Sequence, residues 1–339
     1  MTPIPDAALS PRPDVHRDPA LPAAVRVYEV GPRDGLQAEP HIVPTATKVE
    51  FCRRLVAAGV TNLELTSFVS PRWVPQLVDA EDVMAQANLP QSVRQVVLAP
   101  NARGLDRALT SGASEIAVFV SATETFAQNN LGTSVAHSLS MAETVVAGAA
   151  AAGAATRGYV SMCFGDPWEG SVDPVRVADV AERLIQMGVG SVSLGDTIGV
   201  ATPAHVHAVL DAVVERGIAV EQIALHLHDT YGQALTNVYA GLLAGVTEFD
   251  SSAGGLGRCP YARGATGNLA TEDLVWMLDG LGIDTGIDLH AMADVSLWLA
   301  EHLDRPSTSA VVRALSAART GAPHYGNTTL SPIRRLHLP

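Results

Sequence analysis

The sequence predicts a closed parallel (β/α)8 barrel, the TIM-barrel architecture of the α/β class, with additional helices after the barrel. Three observations carry that expectation. Short β-rich runs alternate with amphipathic stretches along most of the 339 residues, and eight such runs can be counted. Hydrophobic residues make up 47% of the chain and aromatics only 5%, so the core is mainly Ala, Val and Leu, as in sheets wrapped by helices. Residues able to do chemistry also recur at the C-terminal ends of the runs, where such barrels place their sites.

The strand candidates lie at residues 25–30, 62–67, 94–99, 115–121, 156–163, 191–196, 222–228 and 246–251. Helical periodicity falls between them at 45–58, 102–111, 134–152, 174–187, 203–216 and 232–244. Gly59 and Gly188 sit where two of these helices should stop. A further helix is expected at 289–303. An open, doubly wound sheet is the other arrangement this alternation allows, but no Gly-x-Gly-x-x-Gly fingerprint follows the first strand. Residues 1–23 hold six prolines with Asp6, Asp14 and Asp18, and read as a disordered leader rather than a signal peptide. The barrel and its helical extension are expected over 24–305. Residues 306–339 form a tail, partly helical or mobile, polar from Ala322 onward.

Twenty-two basic against 35 acidic residues give a formal charge of −13, which argues against sequence-independent nucleic-acid binding. An anionic ligand is left to local positive groups. No run of about 18 apolar residues suggests a membrane span, and the Ala-rich stretch at 145–155 reads as a packed helix. Cys52, Cys163 and Cys259 show no paired spacing, as expected in a reducing compartment. The final His337-Leu338-Pro339 is not a peroxisomal address, so a cytoplasmic location is expected.

The seventh run closes in Leu225-His226-Leu227-His228-Asp229. Residues two apart on a strand face the same side, so His226 and His228 project together. They form either a pair of metal ligands or two histidines in a polar loop mouth. The first run ends in Gly31-Pro32-Arg33-Asp34-Gly35, where Asp34 can add an oxygen ligand and Arg33 a fixed positive charge; a surface ion pair is the plainer reading. In a closed barrel these ends are near neighbours. Asn268, in Gly267-Asn268-Leu269, could supply an amide oxygen. Two imidazoles, a carboxylate and an amide oxygen suit Mg²⁺ or Mn²⁺ and do not exclude Zn²⁺. Glu64, flanked by apolar residues in the second run, needs a partner, and Arg33 is the obvious one. Asp196 ends the sixth run and could orient an imidazole, act in acid–base chemistry or cap the following helix. Ala253-Gly254-Gly255-Leu256-Gly257-Arg258-Cys259-Pro260 reads as a glycine-rich loop presenting a thiol, or as a turn with an incidental cysteine.

The segments Glu29-Val30-Gly31-Pro32-Arg33-Asp34-Gly35-Leu36-Gln37, Thr66-Ser67-Phe68-Val69-Ser70-Pro71 and Leu194-Gly195-Asp196-Thr197-Ile198-Gly199 resemble the 3-hydroxy-3-methylglutaryl-CoA lyase family. So do His226-Leu227-His228-Asp229-Thr230-Tyr231-Gly232-Gln233-Ala234 and the run from 255 to 273, in order over residues 25–305. The resemblance implies a divalent-metal-dependent carbon–carbon lyase that cleaves an acyl-CoA substrate to acetyl-CoA and acetoacetate. Leucine breakdown, ketone-body formation and isoprenoid catabolism are the settings it allows. It places the metal on Asp34, His226, His228 and Asn268. It assigns catalysis to Arg33, Glu64, Asp196 and Cys259, with His226 or Asp34 as the base, and it implies a homodimer. Two departures stand out: Arg258 replaces a usual glycine, and Asp166 stands where a cysteine is common. Both are expected near the barrel mouth and so to bear on the substrate. They motivate an alternative substrate, a longer or branched 3-hydroxyacyl-CoA of the 3-hydroxy-3-isohexenylglutaryl or citramalyl type. A condensing synthase of similar barrel type is less favoured because such enzymes carry further C-terminal domains and lack the Cys259 loop. A silent scaffold is least favoured because the metal set is complete.

Overall fold

The computed structural model describes residues 12–257 and 267–320. Eight strands, β1 (Arg26–Glu29), β2 (Asn62–Ser67), β3 (Arg94–Leu98), β4 (Glu115–Ser121), β5 (Ala155–Ser161), β6 (Ser191–Asp196), β7 (Ile223–Leu227) and β8 (Glu248–Ser251), form one closed parallel barrel. Each coincides with an expected run to within a residue or two. The first strand closes on the eighth, with Glu29 opposite Ser251 on the last rung. The surrounding helices are α1 (Thr45–Ala57), α2 (Ala80–Ala87), α3 (Ala102–Thr110), the short α4 (Glu124–Phe126), α5 (Val135–Ala151), α6 (Pro174–Gln186), α7 (Pro203–Glu215), α8 (Ala234–Leu243), α9 (Thr271–Gly280), α10 (Leu289–His302) and α11 (Ala310–Thr320).

Strand alternation sorts the side chains. In β7, Ile223, Leu225 and Leu227 join the apolar layer between barrel and helices, while His226 lies on the inner face. In β8 Phe249 faces outward, and Glu248 and Asp250 lie on the other face. The barrel interior is therefore polar under the mouth, around the fully buried Arg157. Its guanidinium lies 3.9 Å from the Tyr28 ring centroid and pairs with Asp250 at 2.6 Å and Glu248 at 3.3 Å.

Four helices had no counterpart in the periodicity: α2, the three-residue α4, α9 and α11, the last within the tail expected to be partly helical. The eight-residue α2 is short, and Asp79 at its N-cap makes no capping bond; Thr45 and Lys48 of α1 instead hold that carboxylate, each at 2.7 Å. Helices α9 and α11 pack with α10 through Val275, Leu289, Ala293, Val312 and Leu315. Ser309, just before α11, donates to Asp273 at 2.6 Å. Residues 12–23, expected as part of a disordered leader, lie against the barrel: the His16 N–H donates to the Gly280 carbonyl at 2.9 Å and Leu21 is buried. No helix among the described residues is long and apolar enough to cross a membrane.

Candidate active site

After β1 the backbone turns through a single π-helical turn, Gly31–Gly35. That turn lifts Arg33 and Asp34 onto the rim of the barrel. Glu29 curls back under it, and a Cβ on Gly31 would lie 2.5 Å from the Glu29 Oε1, so a side chain there would displace that carboxylate. Arg33 donates through Nε to Glu64 Oε2 at 2.8 Å and pairs through Nη1 with Asp34 at 2.6 Å. The Arg33–Glu64 pair expected from adjacent strands is thus formed. Tyr159, from β5, donates to the same Glu64 oxygen at 3.1 Å, and the Arg33 guanidinium lies 5.5 Å from its ring centroid.

His226 and His228 reach the same point, their Nε2 atoms 3.3 Å apart. Asp34, His226 and His228 each offer a ligand atom within 4.8 Å of the others. An isolated bridge between His228 and Asn268 brings in the fourth residue, whose Nδ2 donates to Asp34 Oδ2 at 2.8 Å and to the Leu256 carbonyl at 3.0 Å. The Asn268 Oδ1 is buried with no hydrogen-bond partner among the described residues. Two imidazole nitrogens facing each other, an ionised carboxylate and an unpartnered buried amide oxygen fit a divalent cation. Burial acts against the Asp34 charge, yet Arg33 and then the two imidazoles bring its carboxyl down to about 2. Burial, with His226 adding to it, lowers His228 to about 4, leaving a neutral imidazole.

The carboxylate that orients His226 is Asp250, not Asp196. Asp250 Oδ2 lies 3.1 Å from His226 Nδ1 and accepts from the Ser193 hydroxyl at 2.9 Å. Asp196 instead accepts from the Val200 and Ala201 N–H groups at 2.9 and 3.0 Å, tying down the loop after β6. It does not cap α7, whose N-cap is Thr202. Burial raises the Asp196 carboxyl to about 6 against those N–H donors. Asp250, Tyr159 and Arg157 were not found from the sequence; acids alternating at Glu248 and Asp250 on one strand face were the available signal. Asp250→Asn keeps the shape but gives Nδ1 the wrong partner, so Mn²⁺ affinity and kcat/KM should each fall about 10–100-fold. Wild-type values for both would remove Asp250 from the site.

A cavity of about 400 Å³ opens over these groups, within the range that holds a small ligand. Arg33, Asp34, Tyr159, His226 and His228 line one part of it, and Phe126, Leu131 and Met141 line an apolar part. Asp166 lies in the segment after β5, at the C-terminal end of the barrel as expected, but is not among the residues lining the cavity. Its carboxylate accepts from Thr123 at 2.6 Å and from the Trp168 and Glu169 N–H groups at 2.7 and 2.8 Å, clamping two loops together away from the cavity lining. Arg258 and Cys259 lie outside the described residues. The segments flanking them approach closely: a Cβ on Gly267 would sit 2.2 Å from the Gly255 carbonyl oxygen.

Groups of this kind, gathered in one cavity at the C-terminal ends of eight parallel strands, define a TIM-barrel enzyme. The chain belongs to the HMGL-like family, which matches it over residues 24–298. It is 44% identical over 312 residues to the 3-hydroxy-3-methylglutaryl-CoA lyase, cytoplasmic, of Rattus norvegicus, covering 92% of this chain and 91% of that protein. The mitochondrial hydroxymethylglutaryl-CoA lyase of the same organism is 46% identical over 294 residues, 87% of this chain and 90% of its own length. The crystal structure of hydroxymethylglutaryl-CoA lyase from Pseudomonas aeruginosa superposes with a TM-score of 0.86 at 46% identity, covering 88% of this chain and 99% of that one. An HMG-CoA lyase from Acinetobacter baumannii, in complex with coenzyme A and 3-methylmalate, gives 0.82 at 35% identity, covering 94% and 100%.

Proposed function

We propose that this chain is a divalent-metal-dependent lyase that cleaves 3-hydroxy-3-methylglutaryl-CoA to acetyl-CoA and acetoacetate. The observation that carries the reading is the convergence of Asp34, His226, His228 and the free Asn268 amide oxygen beside the Arg33–Glu64 pair. Those four residues would hold Mg²⁺ or Mn²⁺. When bound, the cation supplies Lewis acidity that lowers the pKa of the substrate hydroxyl and fixes its orientation.

The chain's own groups account for the remaining demands. The C3 hydroxyl must lose its proton as the C2–C3 bond breaks, which leaves the C3 ketone of acetoacetate and the enolate of acetyl-CoA. An imidazole that ligates has no lone pair left for a proton, whereas a carboxylate has several. The acceptor is therefore Asp34 where His226 ligates, and His226 where it does not. Arg33, held rigid by Glu64 and Tyr159, stabilises the enolate oxygen. Cys259 then delivers a proton to C2, completing the methyl group of acetyl-CoA. Asp196 serves by holding the loop after β6.

The test is acetyl-CoA release from a panel of 3-hydroxyacyl-CoAs by purified protein with Mg²⁺ or Mn²⁺. The expected result is fastest turnover of 3-hydroxy-3-methylglutaryl-CoA, abolished by exhaustive chelation and restored by added cation. No release from any member overturns the lyase reading, and turnover that survives chelation overturns the metal. The apolar part of the cavity favours a second reading, a longer C3 substituent, which a higher rate on the longer homologues would establish.

A further inference from the structure

Two of the proposed metal ligands reach the site from separate pieces of chain: Asp34 from the turn after β1, Asn268 from the segment before α9. The ladder between β1 and β8 ends at the Glu29–Ser251 rung, before either ligand. Beyond it, one fully buried carboxylate joins both pieces. Glu29 Oε1 accepts from the Gly31 N–H at 2.8 Å and from the Ala253 N–H at 2.9 Å, and Oε2 accepts from the Thr271 hydroxyl at 2.6 Å. Gly31 opens the turn that carries Asp34, and Thr271 lies three residues after Asn268. Glu272 adds a second tie from below, accepting from the Gly254 N–H at 3.0 Å and from the Ser296 hydroxyl.

We propose that Glu29 is a positioning residue of the metal centre, setting the separation of Asp34 and Asn268 by bridging the Gly31, Ala253 and Thr271 donors. The inference rests on the metal-site reading above. What Glu29 supplies is acceptor geometry. No cation pairs with its carboxylate among the described residues, and burial raises it to about 7 in spite of its three donors. A glutamine fits the same network: its Oε1 takes both backbone N–H groups and its Nε2 donates to Thr271. The Thr271 hydroxyl, 2.8 Å from Ser251 Oγ, then turns to donate there.

Mn²⁺ titration of the full-length chain, with free Mn²⁺ read by electron paramagnetic resonance, tests this without reference to turnover. Glu29→Ala should raise the Mn²⁺ Kd about tenfold or more, and Thr271→Val about threefold, whereas Glu29→Gln should stay within about threefold of wild type. A purely structural role would lower Tm while leaving the Kd of the folded chain unchanged. Wild-type Kd in folded Glu29→Ala, or a Glu29→Gln as weak as the alanine variant, overturns the inference. If Glu29→Ala does not fold, wild-type affinity in Thr271→Val overturns it instead. A wild-type chain that holds no Mn²⁺ overturns the metal centre itself, and the inference falls with it.

Discussion

Arg33→Gln should lower kcat by about 10²–10³-fold, the cost of removing a preorganised donor aimed at a developing negative charge. The guanidinium is held by Glu64 and Asp34 at 2.6 Å each, so it needs little reorganisation when the enolate forms. The same substitution strands Glu64, which is completely buried. Leaving one partner of a buried ion pair alone costs about 3–5 kcal/mol, so the variant should also melt lower. The double variant Arg33→Gln/Glu64→Gln separates the two effects: it should recover much of the Tm but none of the turnover. A kcat for Arg33→Gln within tenfold of wild type, in a folded protein, would remove Arg33 from the chemistry.

Cys259→Ala should be comparably severe in turnover and silent elsewhere. Proton transfer by a positioned acid contributes about 10²–10⁴-fold, so kcat should fall within that range while metal content and Tm stay at wild-type values. The contrast with Arg33→Gln is useful, because replacing an uncharged thiol by a methyl group strands no buried carboxylate, whereas Arg33→Gln strands Glu64. Loss of bound metal in Cys259→Ala would point to a ligand or folding role, and near wild-type turnover would end the proton-donor assignment.

The expected pairings form between close neighbours in the chain, between adjacent strands, and across the barrel mouth, where Asp34 meets His226, His228 and Asn268. His226 and His228 meet because strand periodicity puts alternate residues on one face. Arg33 meets Glu64 because β1 and β2 are adjacent, and a buried carboxylate flanked by apolar residues must find a cation. Which strand-end acid meets His226 differs from expectation: Asp196 was the candidate, and Asp250 is the partner. Asp196 ends β6 and Asp250 lies one residue before the end of β8, both strands beside β7, and Gly195 and Asp250 each pair with His226 in the ladder. Asp250 faces the imidazole across its rung, whereas Asp196 is held by two N–H groups of the loop that follows it. Asp166 lies after β5 on the mouth side, as expected, and Thr123 and its own turn take up its oxygens.

By itself the sequence determined the barrel, its strand order and most of the residues that meet at its mouth. Hydrophobic period and the residues at strand ends are local properties, and closing eight parallel strands leaves those ends few places to go. Only the tertiary structure decided which acid serves which partner. It made Asp250 the orienting carboxylate, Asp166 a loop clamp and Glu29 the tie between the two chain segments that carry Asp34 and Asn268, the proposed metal ligands. A buried carboxylate is claimed by whichever donors packing brings within about 3 Å, and that depends on register and loop path rather than on spacing along the chain.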